Sequence, residues 1–416
     1  MRISTVTMYE QGVSAMNRQQ ADFADVGQQI ASGKRVVNPS DDPRAASRAV
    51  GVSQSLAVNA QQESSRVTAR NSLSQEESVL NSVSDAIGSA KSLVVQAGNG
   101  TLSDADRESL ASDLEGAYET LIGLGNTTDG NGTYLFSGYQ DNAKAFSRTD
   151  AGDNVDTIDY EGDQGVKQQK IDAERSMNTS DTGSDVFMKF SSGSEYIAEA
   201  TGKVDGSGDN TGTVTFSGPD VRDAADPAKG ESFDITFNGD GTYNIASSGP
   251  EFTDQNNVAY TDGETIEFGG LALTMEGEPA DGDTLSVTPG GDMDEEQASL
   301  FKTIGDTINA LRQPVETDAD QAALDNTLST ASRKLDASLD NVLTTRASVG
   351  ARMNELNALD DVGGNREIAY EQTRSDLVDL DYNSAISDYM LSQVGLQASQ
   401  KSFADIQQMS LFQYLN

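Results

Sequence analysis

The sequence contains no cysteine and no histidine, and these two absences exclude much of protein chemistry. Without cysteine there is no disulfide, no thiolate nucleophile and no iron–sulfur cluster. Without histidine the chain lacks the commonest general base near neutral pH and the commonest transition-metal ligand. We therefore expect a protein that is not an enzyme and that holds neither a cofactor nor a metal ion.

Basic residues are also scarce, because 28 Lys and Arg face 67 Asp and Glu, for a formal net charge of −39. Nucleic acids and anionic membranes both attract basic surfaces, so we expect no nucleic-acid partner. No stretch approaches the roughly 18 apolar residues of a membrane span, so we expect no membrane insertion. The first ten residues hold no apolar run, which predicts that there is no cleavable secretory signal peptide.

Hydrophobic residues make up 36% of the chain and aromatic residues only 6%, with no tryptophan. Any core is therefore thin or divided. The pattern changes twice along the chain: it is helical to about residue 177, alternates with period two within 178–292, and is helical again beyond. The middle segment holds 18 of the 39 glycines and 22 acidic against four basic residues. Runs such as Phe233-Asp-Ile235-Thr-Phe237 predict an inserted antiparallel β domain there.

Apolar residues recur every seven positions in the helical segments on both sides. One series runs through Leu73, Leu80, Ile87 and Val94, and the other through Leu335, Val342, Val349 and Leu356. Such heptads are typical of helices packed in a coiled-coil bundle. The sequence thus predicts an α+β fold: an elongated hairpin of long helices from both chain ends, with the antiparallel β domain at its tip.

Helical apolar faces extend to both ends of the chain. Residues 1–55 carry five acidic and six basic residues, a net charge of +1 in a chain of −39. Near-neutral ends suit surfaces that many copies bury together, because dense like charge would oppose such packing. We therefore predict an assembly interface at Val13, Met16, Phe23, Val26, Ile30, Leu377, Leu380, Ile386, Tyr389, Met390, Val394, Leu396, Phe403, Ile406, Leu411 and Phe412.

The segment Asn38-Pro39-Ser-Asp41-Asp42-Pro43-Arg44 has the composition of a helix-cap loop. The Asn-Pro step favours a turn, and Pro43 suits the first turn of a new helix. Either Asp41 or Asp42 would cap that helix by accepting backbone N–H bonds. The alternative interpretation, a pair of catalytic carboxylates, has no histidine or cysteine to support it.

These patterns predict three domains. A terminal helical domain of residues 1–55 and 361–416 is expected to be disordered in the isolated monomer. A helical bundle comprises 56–177 and 293–360, with a short β region near 134–175. The inserted β domain covers 178–292.

Two other functions were open for the acidic β domain. Asp205-Gly-Ser-Gly-Asp-Asn210 is similar to the start of a calcium loop, but Asn210 and Phe216 stand where the EF-hand needs Gly and Glu. A hydrolytic site could use two carboxylates without histidine. Carbohydrate sites usually add stacked aromatic residues, and this chain has no tryptophan. We therefore favour neither.

Several short motifs, in order along the chain, resemble the flagellin superfamily. They are Met1-Arg-Ile-Ser-Thr5, Ile30-Ala-Ser-Gly-Lys-Arg35, Asn38-Pro-Ser-Asp-Asp-Pro-Arg-Ala-Ala46, Tyr134-Leu-Phe-Ser-Gly138, Tyr160-Glu-Gly-Asp163, Leu396-Gln-Ala-Ser-Gln-Lys-Ser-Phe403 and Leu411-Phe-Gln-Tyr-Leu-Asn416. Within that superfamily the chain most resembles the hook-associated proteins of the hook–filament junction. Flagellin, the main filament subunit, is the alternative; it typically has an Asp-Asp-Ala-Ala-Gly-type loop where this chain has Asp41-Asp-Pro-Arg44.

The resemblance implies a structural subunit of the extracellular bacterial flagellum. Such a subunit forms a ring of identical copies between a proximal hook-junction protein and flagellin. It also implies export through the flagellar type III pathway, escorted by a flagellar export chaperone. The terminal helices would become ordered as their apolar faces are buried between subunits.

Overall fold

The computed structural model describes residues 5–152, 154–204, 206 and 208–414, with the backbone alone at 5, 6, 8 and 406–414. Within these residues the chain forms two compact units. The first, which we call the terminal unit, comprises residues 1–64 and 357–416. The second, the central unit, comprises residues 65–356.

Long helices occupy both ends of the chain and strands occupy its middle, which confirms the predicted α+β class. The helices are α1 (Thr5–Ser32), α2 (Pro43–Ala97), α3 (Asp104–Gly125), α4 (Gly183–Phe187), α5 (Leu300–Arg312), α6 (Asp318–Val378) and α7 (Tyr382–Tyr414), with a 3₁₀ turn at Gly290–Asp292. The strands are β1 (Phe146–Thr149), β2 (Thr157–Tyr160), β3 (Gln168–Asp172), β4 (Arg175–Asn178), β5 (Tyr196–Lys203), β6 (Thr215–Val221), β7 (Phe233–Phe237), β8 (Thr242–Ser247), β9 (Gln255–Ala259), β10 (Thr265–Phe268), β11 (Leu271–Glu276) and β12 (Asp283–Pro289). None of the described helices combines the length and apolarity that crossing a membrane requires.

The heptad residues of α2 and α6 form the core of the bundle in the central unit. Leu73, Leu80 and Ile87 on α2 and Leu335 and Val349 on α6 are each 0% exposed. Because every seventh residue returns to the same side of a coiled-coil helix, burial of the whole series marks one continuous packed face.

Polar pairs fix the antiparallel register of α2 against α6. Arg346 lies half-buried on α6 between the heptad residues Val342 and Val349, and it binds Glu77 at 2.9 Å between Nη2 and Oε1. One end of the bundle is joined by an ion pair between Lys91 and Asp336. The sequence number rises along one helix as it falls along the other, so the two helices are antiparallel. Arg346 can lie beside the apolar series because Glu77 of α2 offers it a carboxylate.

A cluster of aromatic rings joins the helices to the short strands near residues 134–178. Phe301 on α5 lies 4.9 Å from Phe146 and 5.6 Å from Phe187 between ring centroids. The Tyr160 hydroxyl donates to the carbonyls of Phe136 and Asp163, both at 2.9 Å. The motifs Tyr134-Leu-Phe-Ser-Gly138 and Tyr160-Glu-Gly-Asp163 therefore pack against each other.

Strands β5–β12 form two antiparallel sheets that enclose one apolar core. The five-stranded sheet has the order β5-β12-β7-β8-β9 and the three-stranded sheet the order β10-β11-β6. Phe233 of the larger sheet meets Phe268 of the smaller one edge to face, with ring centroids 5.1 Å apart. Alternate residues of β7, Phe233, Ile235 and Phe237, are buried, as the period-two pattern predicted.

Side chains of α6 form hydrogen bonds with backbone groups of this β sandwich. The Asn326 amide donates to the Val214 carbonyl at 2.8 Å and accepts from the Phe216 N–H at 3.2 Å. The Thr330 hydroxyl donates to the Ala198 carbonyl at 2.7 Å. These contacts reach both sheets and are directional, so they set the orientation of the sandwich on the helix.

A buried carboxyl group links α2 to the segment that precedes α4. Glu76 is 3% exposed, and its Oε1 accepts the Asp181 N–H at 2.9 Å. Arg352 of α6 forms an ion pair with Asp181 and donates to the Asn178 carbonyl at 3.2 Å. Burial, with the nearby Asp181 carboxylate, raises the pKa of Glu76 well above its usual range, although the Asp181 N–H and Arg352 favour the charged form.

The Glu76→Gln variant should be less sensitive to alkaline pH than the native chain. Because the folded-state pKa of Glu76 lies above the unfolded value, its proton stabilises the fold at acidic pH. That contribution is lost as the pH rises through the folded pKa. Urea unfolding of the full chain from pH 4 to pH 9 should show the variant gaining stability over the native chain as the pH increases. Parallel pH profiles for the two proteins would contradict this assignment.

The turn between β10 and β11 requires glycine for two separate reasons. Gly269 has φ +53° and Gly270 has φ +74°, both in the left-handed region. A Cβ at Gly269 would also lie 2.2 Å from Cζ of Phe233, in the core of the sandwich. Gly263 has φ +75° but nothing within 4 Å of a Cβ, so it isolates the conformational cost from the steric one.

Gly269→Ala should therefore destabilise the sandwich more than Gly263→Ala. The left-handed conformation costs each variant about 1–2 kcal/mol. Overpacking against Phe233 adds about 1–3 kcal/mol for Gly269→Ala alone. Denaturant unfolding followed by near-UV circular dichroism measures the difference, and equal losses in the two variants would exclude the steric contribution.

Candidate assembly site on the terminal helices

Two chain segments that link the helices of the terminal unit lie side by side. One runs from Gly33 to Asp42, and the other from Asp379 to Asp381. Their backbones form an antiparallel bridge at Lys34 and Asp379. The Arg35 N–H donates to the Val378 carbonyl at 2.8 Å, and the Leu380 N–H donates to the Gly33 carbonyl at 3.1 Å. Residues more than 340 positions apart are thus joined where α1 ends and α7 begins.

Arg35 reinforces this junction with its side chain. Its Nη2 donates to the Leu377 carbonyl at 2.6 Å, and its Nη1 lies 3.3 Å from Oδ2 of Asp42. The Gln29 amide donates back to the Arg35 carbonyl at 3.0 Å. The guanidinium group therefore bridges the C-terminal end of α6 and the loop before α2.

The two adjacent carboxylates of the loop have different roles. Asp42 Oδ1 accepts the Ala45 N–H at 3.0 Å, which places Asp42 at the N-cap of α2 with Pro43 as the first helical residue. This backbone hydrogen bond, more than the nearby Arg35, lowers the pKa of Asp42. Asp41 Oδ2 accepts the N–H groups of Val37 and Asn38 at 3.1 and 2.7 Å, and so holds the turn at Asn38-Pro39.

Helices α1 and α7 pack against each other in antiparallel register. Phe23 and Tyr389 stack with ring centroids 4.6 Å apart, and Tyr9 and Phe403 lie 5.2 Å apart. The two pairs are separated by 14 residues on each helix, which is two heptads. Glycines accommodate the rings: a Cβ at Gly12 would lie 3.5 Å from Phe403, and one at Gly27 would lie 3.7 Å from Tyr389.

The structure divides the predicted interface residues between two faces. One face, the inner seam, is half-buried between α1 and α7 and contains Val13, Met16, Phe23, Val26, Ile30, Tyr389, Leu396 and Phe403. Leu377 and Leu380 are half-buried at the junction of the two segments. The side chains of Ile406, Leu411 and Phe412 lie outside the described residues.

The other face of α7, which we call the outer stripe, is exposed. It comprises Ile386, Met390 and Val394, which are 45%, 61% and 63% exposed, together with Leu391 at 70%. The steps of four residues place the first three along one line of the helix. Leu391 was not among the predicted residues, although it directly follows Met390 in sequence.

The predicted interface omits two exposed rings that extend the inner seam, Tyr9 at 46% and Tyr382 at 51% exposed. Tyr382, Tyr389, Leu396 and Phe403 follow one another at intervals of seven, as do Tyr9, Met16, Phe23 and Ile30. Extending each series by one heptad toward the N-terminus would have found Tyr382 and Tyr9. A Cβ at Gly33 would lie 2.9 Å from the Tyr382 hydroxyl, so Tyr382 closes the seam at the junction.

The inner seam is only partly covered by the two helices that form it. Among the residues whose side chains are described, α1 has none that is fully buried, and α7 has one, Ala385 at 5% exposed. Two helices that bury so little apolar surface are marginal by themselves, because tertiary packing supplies most of a helix's stability. In the described part of the chain no group of three or more Asp and Glu residues could hold a metal ion.

Comparison with known proteins identifies the class to which this arrangement belongs. Residues 3–141 match the bacterial flagellin N-terminal helical region. The solved FlgL of Xanthomonas campestris is 28% identical with a TM-score of 0.63, over 78% of this chain and 99% of that chain. The solved flagellar hook-associated protein-3 of Legionella pneumophila is 25% identical with a TM-score of 0.66, over 78% of this chain and 98% of that chain. The fold is that of a flagellin-type flagellar protein.

Two curated relatives match almost the whole chain. Flagellar hook-associated protein 3 of Escherichia coli K12 is 36% identical over 414 residues, covering 99% of both chains. The protein of the same name from Salmonella typhimurium is 34% identical over 418 residues, again covering 99% of both chains. The chain belongs to the flagellar hook-associated protein 3 family.

Hydrogen exchange, read by mass spectrometry on the purified monomer, should show faster amide exchange in the terminal unit than in the central unit. Amides of α1 and α7 should exchange at least a hundredfold faster than those of residues 70–97 and 328–356, since each tenfold reflects about 1.4 kcal/mol of opening free energy. The heptad core of α2 and α6 provides the internal control. Equal protection of α1 and of the heptad core would show that the terminal helices complete their packing without a partner.

Proposed function

We propose that this protein is a structural subunit of the bacterial flagellum that forms the junction ring between hook and filament. The observation that carries the proposal is identity of 36% over 99% of the chain with a flagellar hook-associated protein 3. Both full-length curated relatives bear that name, which favours the junction over flagellin as the alternative. A solved FlgL from Legionella pneumophila is described as a flagellar junction protein, and it shares the fold at a TM-score of 0.63.

Assembly proceeds through the terminal helices. Their inner seam holds α1 and α7 together as a pair, and the outer stripe of α7 remains exposed in the single chain. In the ring, neighbouring copies cover the surface that one copy leaves open, and this burial supplies the free energy for ordering the ends. The partners are further copies of the chain, the proximal hook-junction protein and flagellin.

The route to the ring is export through the flagellar type III pathway, with a chaperone holding the C-terminal helix before assembly. The absence of cysteine supports this route, because a chain threaded unfolded to the cell exterior then cannot form wrong disulfides. The function is architectural and requires no turnover, which accords with a chain that has no histidine or cysteine.

Replacing Leu396 with Glu should block incorporation into flagella. A carboxylate in the half-buried seam would have to be desolvated against α1, which weakens the pairing that assembly requires. We expect at least a tenfold loss of the chain in isolated flagella, equivalent to about 1.4 kcal/mol. Incorporation is measured by quantitative immunoblotting in cells whose only copy is the variant.

Val204→Glu is the matched control, because Val204 is 66% exposed and lies in the central unit. It should incorporate normally. The near-UV circular dichroism of purified Leu396→Glu should remain native, which shows that the central unit still folds. Normal incorporation of Leu396→Glu would refute the role assigned to the seam.

A further inference from the structure

The surface of the terminal unit contains a long helical tract without charge. Residues 49–62 of α2, from Ala49 to Gln62, contain no Asp, Glu, Lys or Arg, and this is the longest uncharged run in the chain. With 23% of all residues charged, a run of this length would hold about three charged residues. Soluble surface helices are normally charged on their outer side, so the absence indicates a surface that becomes covered.

This tract presents apolar, small and uncharged polar side chains to solvent. Val50 is 69% exposed and Val58 is 51% exposed, and they lie on one side of the helix, about two turns apart. The surface between and beside them is formed by Gly51, Gln54, Ala57 and Gln61, all exposed. A Cβ at Gly51 would meet nothing within 4 Å. We call this surface the neutral face of α2.

The outer stripe of α7 carries larger side chains than Gly51 and Ala57 of the neutral face. Residues 389–400 also contain no charged residue, and the exposed side chains of the stripe are large ones: Ile386, Met390, Leu391 and Val394. Large side chains of one helix pack well over the small residues of another, because ridges fit into shallow grooves. Neither surface is covered within the described chain.

Charge argues that the partner of these surfaces is a second copy. Two copies that each carry a net charge of −39 repel each other wherever their carboxylates meet. Contact between two uncharged surfaces avoids this repulsion. A contact between unlike surfaces also leaves each copy with one free surface of each kind, so it continues from copy to copy until a ring closes.

We propose that the outer stripe of α7 in one copy packs on the neutral face of α2 in the next copy, head to tail around the ring. This inference rests on the proposed function and adds to it the two surfaces that meet. A contact of one α7 stripe with another would instead stop at two copies, because it would occupy the same surface on both.

Cysteine cross-linking tests the pairing cleanly, because the native chain has no cysteine. Flagella would be isolated from cells whose only copy carries Val58→Cys and Val394→Cys, and treated with a short bismaleimide. We expect a ladder of covalent dimers, trimers and larger multimers. Each single variant should remain monomeric, and a mixture of the two single variants should give dimers without a ladder.

The control pair is Val204→Cys with Val394→Cys, whose native side chains are 66% and 63% exposed. It should give no ladder. A second test pair, Val50→Cys with Met390→Cys, covers the possibility that the first pair disturbs assembly and should also give multimers.

Three results would overturn the inference in different ways. Dimers from Val394→Cys alone would show contact between like stripes. Normal recovery of both test pairs in flagella without cross-links would show that these surfaces do not meet, while leaving the proposed function intact. Absence of the native chain from isolated flagella would instead refute the proposed function itself.

Discussion

Antiparallel pairing between helices from opposite halves of the chain is the constraint on which the rest of the structure depends. Arg346 reaches Glu77 and Asp336 reaches Lys91 in the central unit, and Tyr389 stacks on Phe23 in the terminal unit. Each contact closes a loop of more than two hundred residues, which carries a large entropic cost. The helices can pair only if the chain between them reverses direction and returns alongside the first helix. The strands of the intervening segment are accommodated by packing into the β sandwich.

The two units differ in how completely this pairing buries apolar surface. Heptad residues such as Leu80 and Leu335 are 0% exposed, whereas the rings of α1 and α7 remain half-exposed. A fully buried seam has no exposed apolar surface left for a partner to cover. A half-exposed seam gains stability when a partner buries its remaining apolar surface. This contrast is the physical basis for assigning assembly to the terminal helices and rigidity to the central unit.

Polar groups determine how the pieces of the central unit are joined. Asn326 and Thr330 hold the sandwich by its backbone, and Glu76 holds the segment before α4 through the Asp181 N–H. Such bonds are directional, so they fix orientation in a way that apolar packing alone does not. Among the described residues, the acidic side chains of the sandwich other than the buried Asp283 are at least partly exposed, and their charge favours solubility.

The sequence by itself determined the α+β class and the heptad core, because these follow from periodicity along a single segment. It also located the apolar faces at both ends. It could not separate the inner seam from the outer stripe, since α7 is apolar on both sides and period alone does not say which side meets α1. Likewise Asp41 and Asp42 are equivalent as sequence, and only the path of the loop makes Asp42 the cap. The partners of Glu76 and Arg346, which are Asp181 and Glu77, lie more than one hundred positions away in the sequence. Such contacts are decided by the tertiary structure alone, because no local pattern records which distant group will neutralise a buried charge.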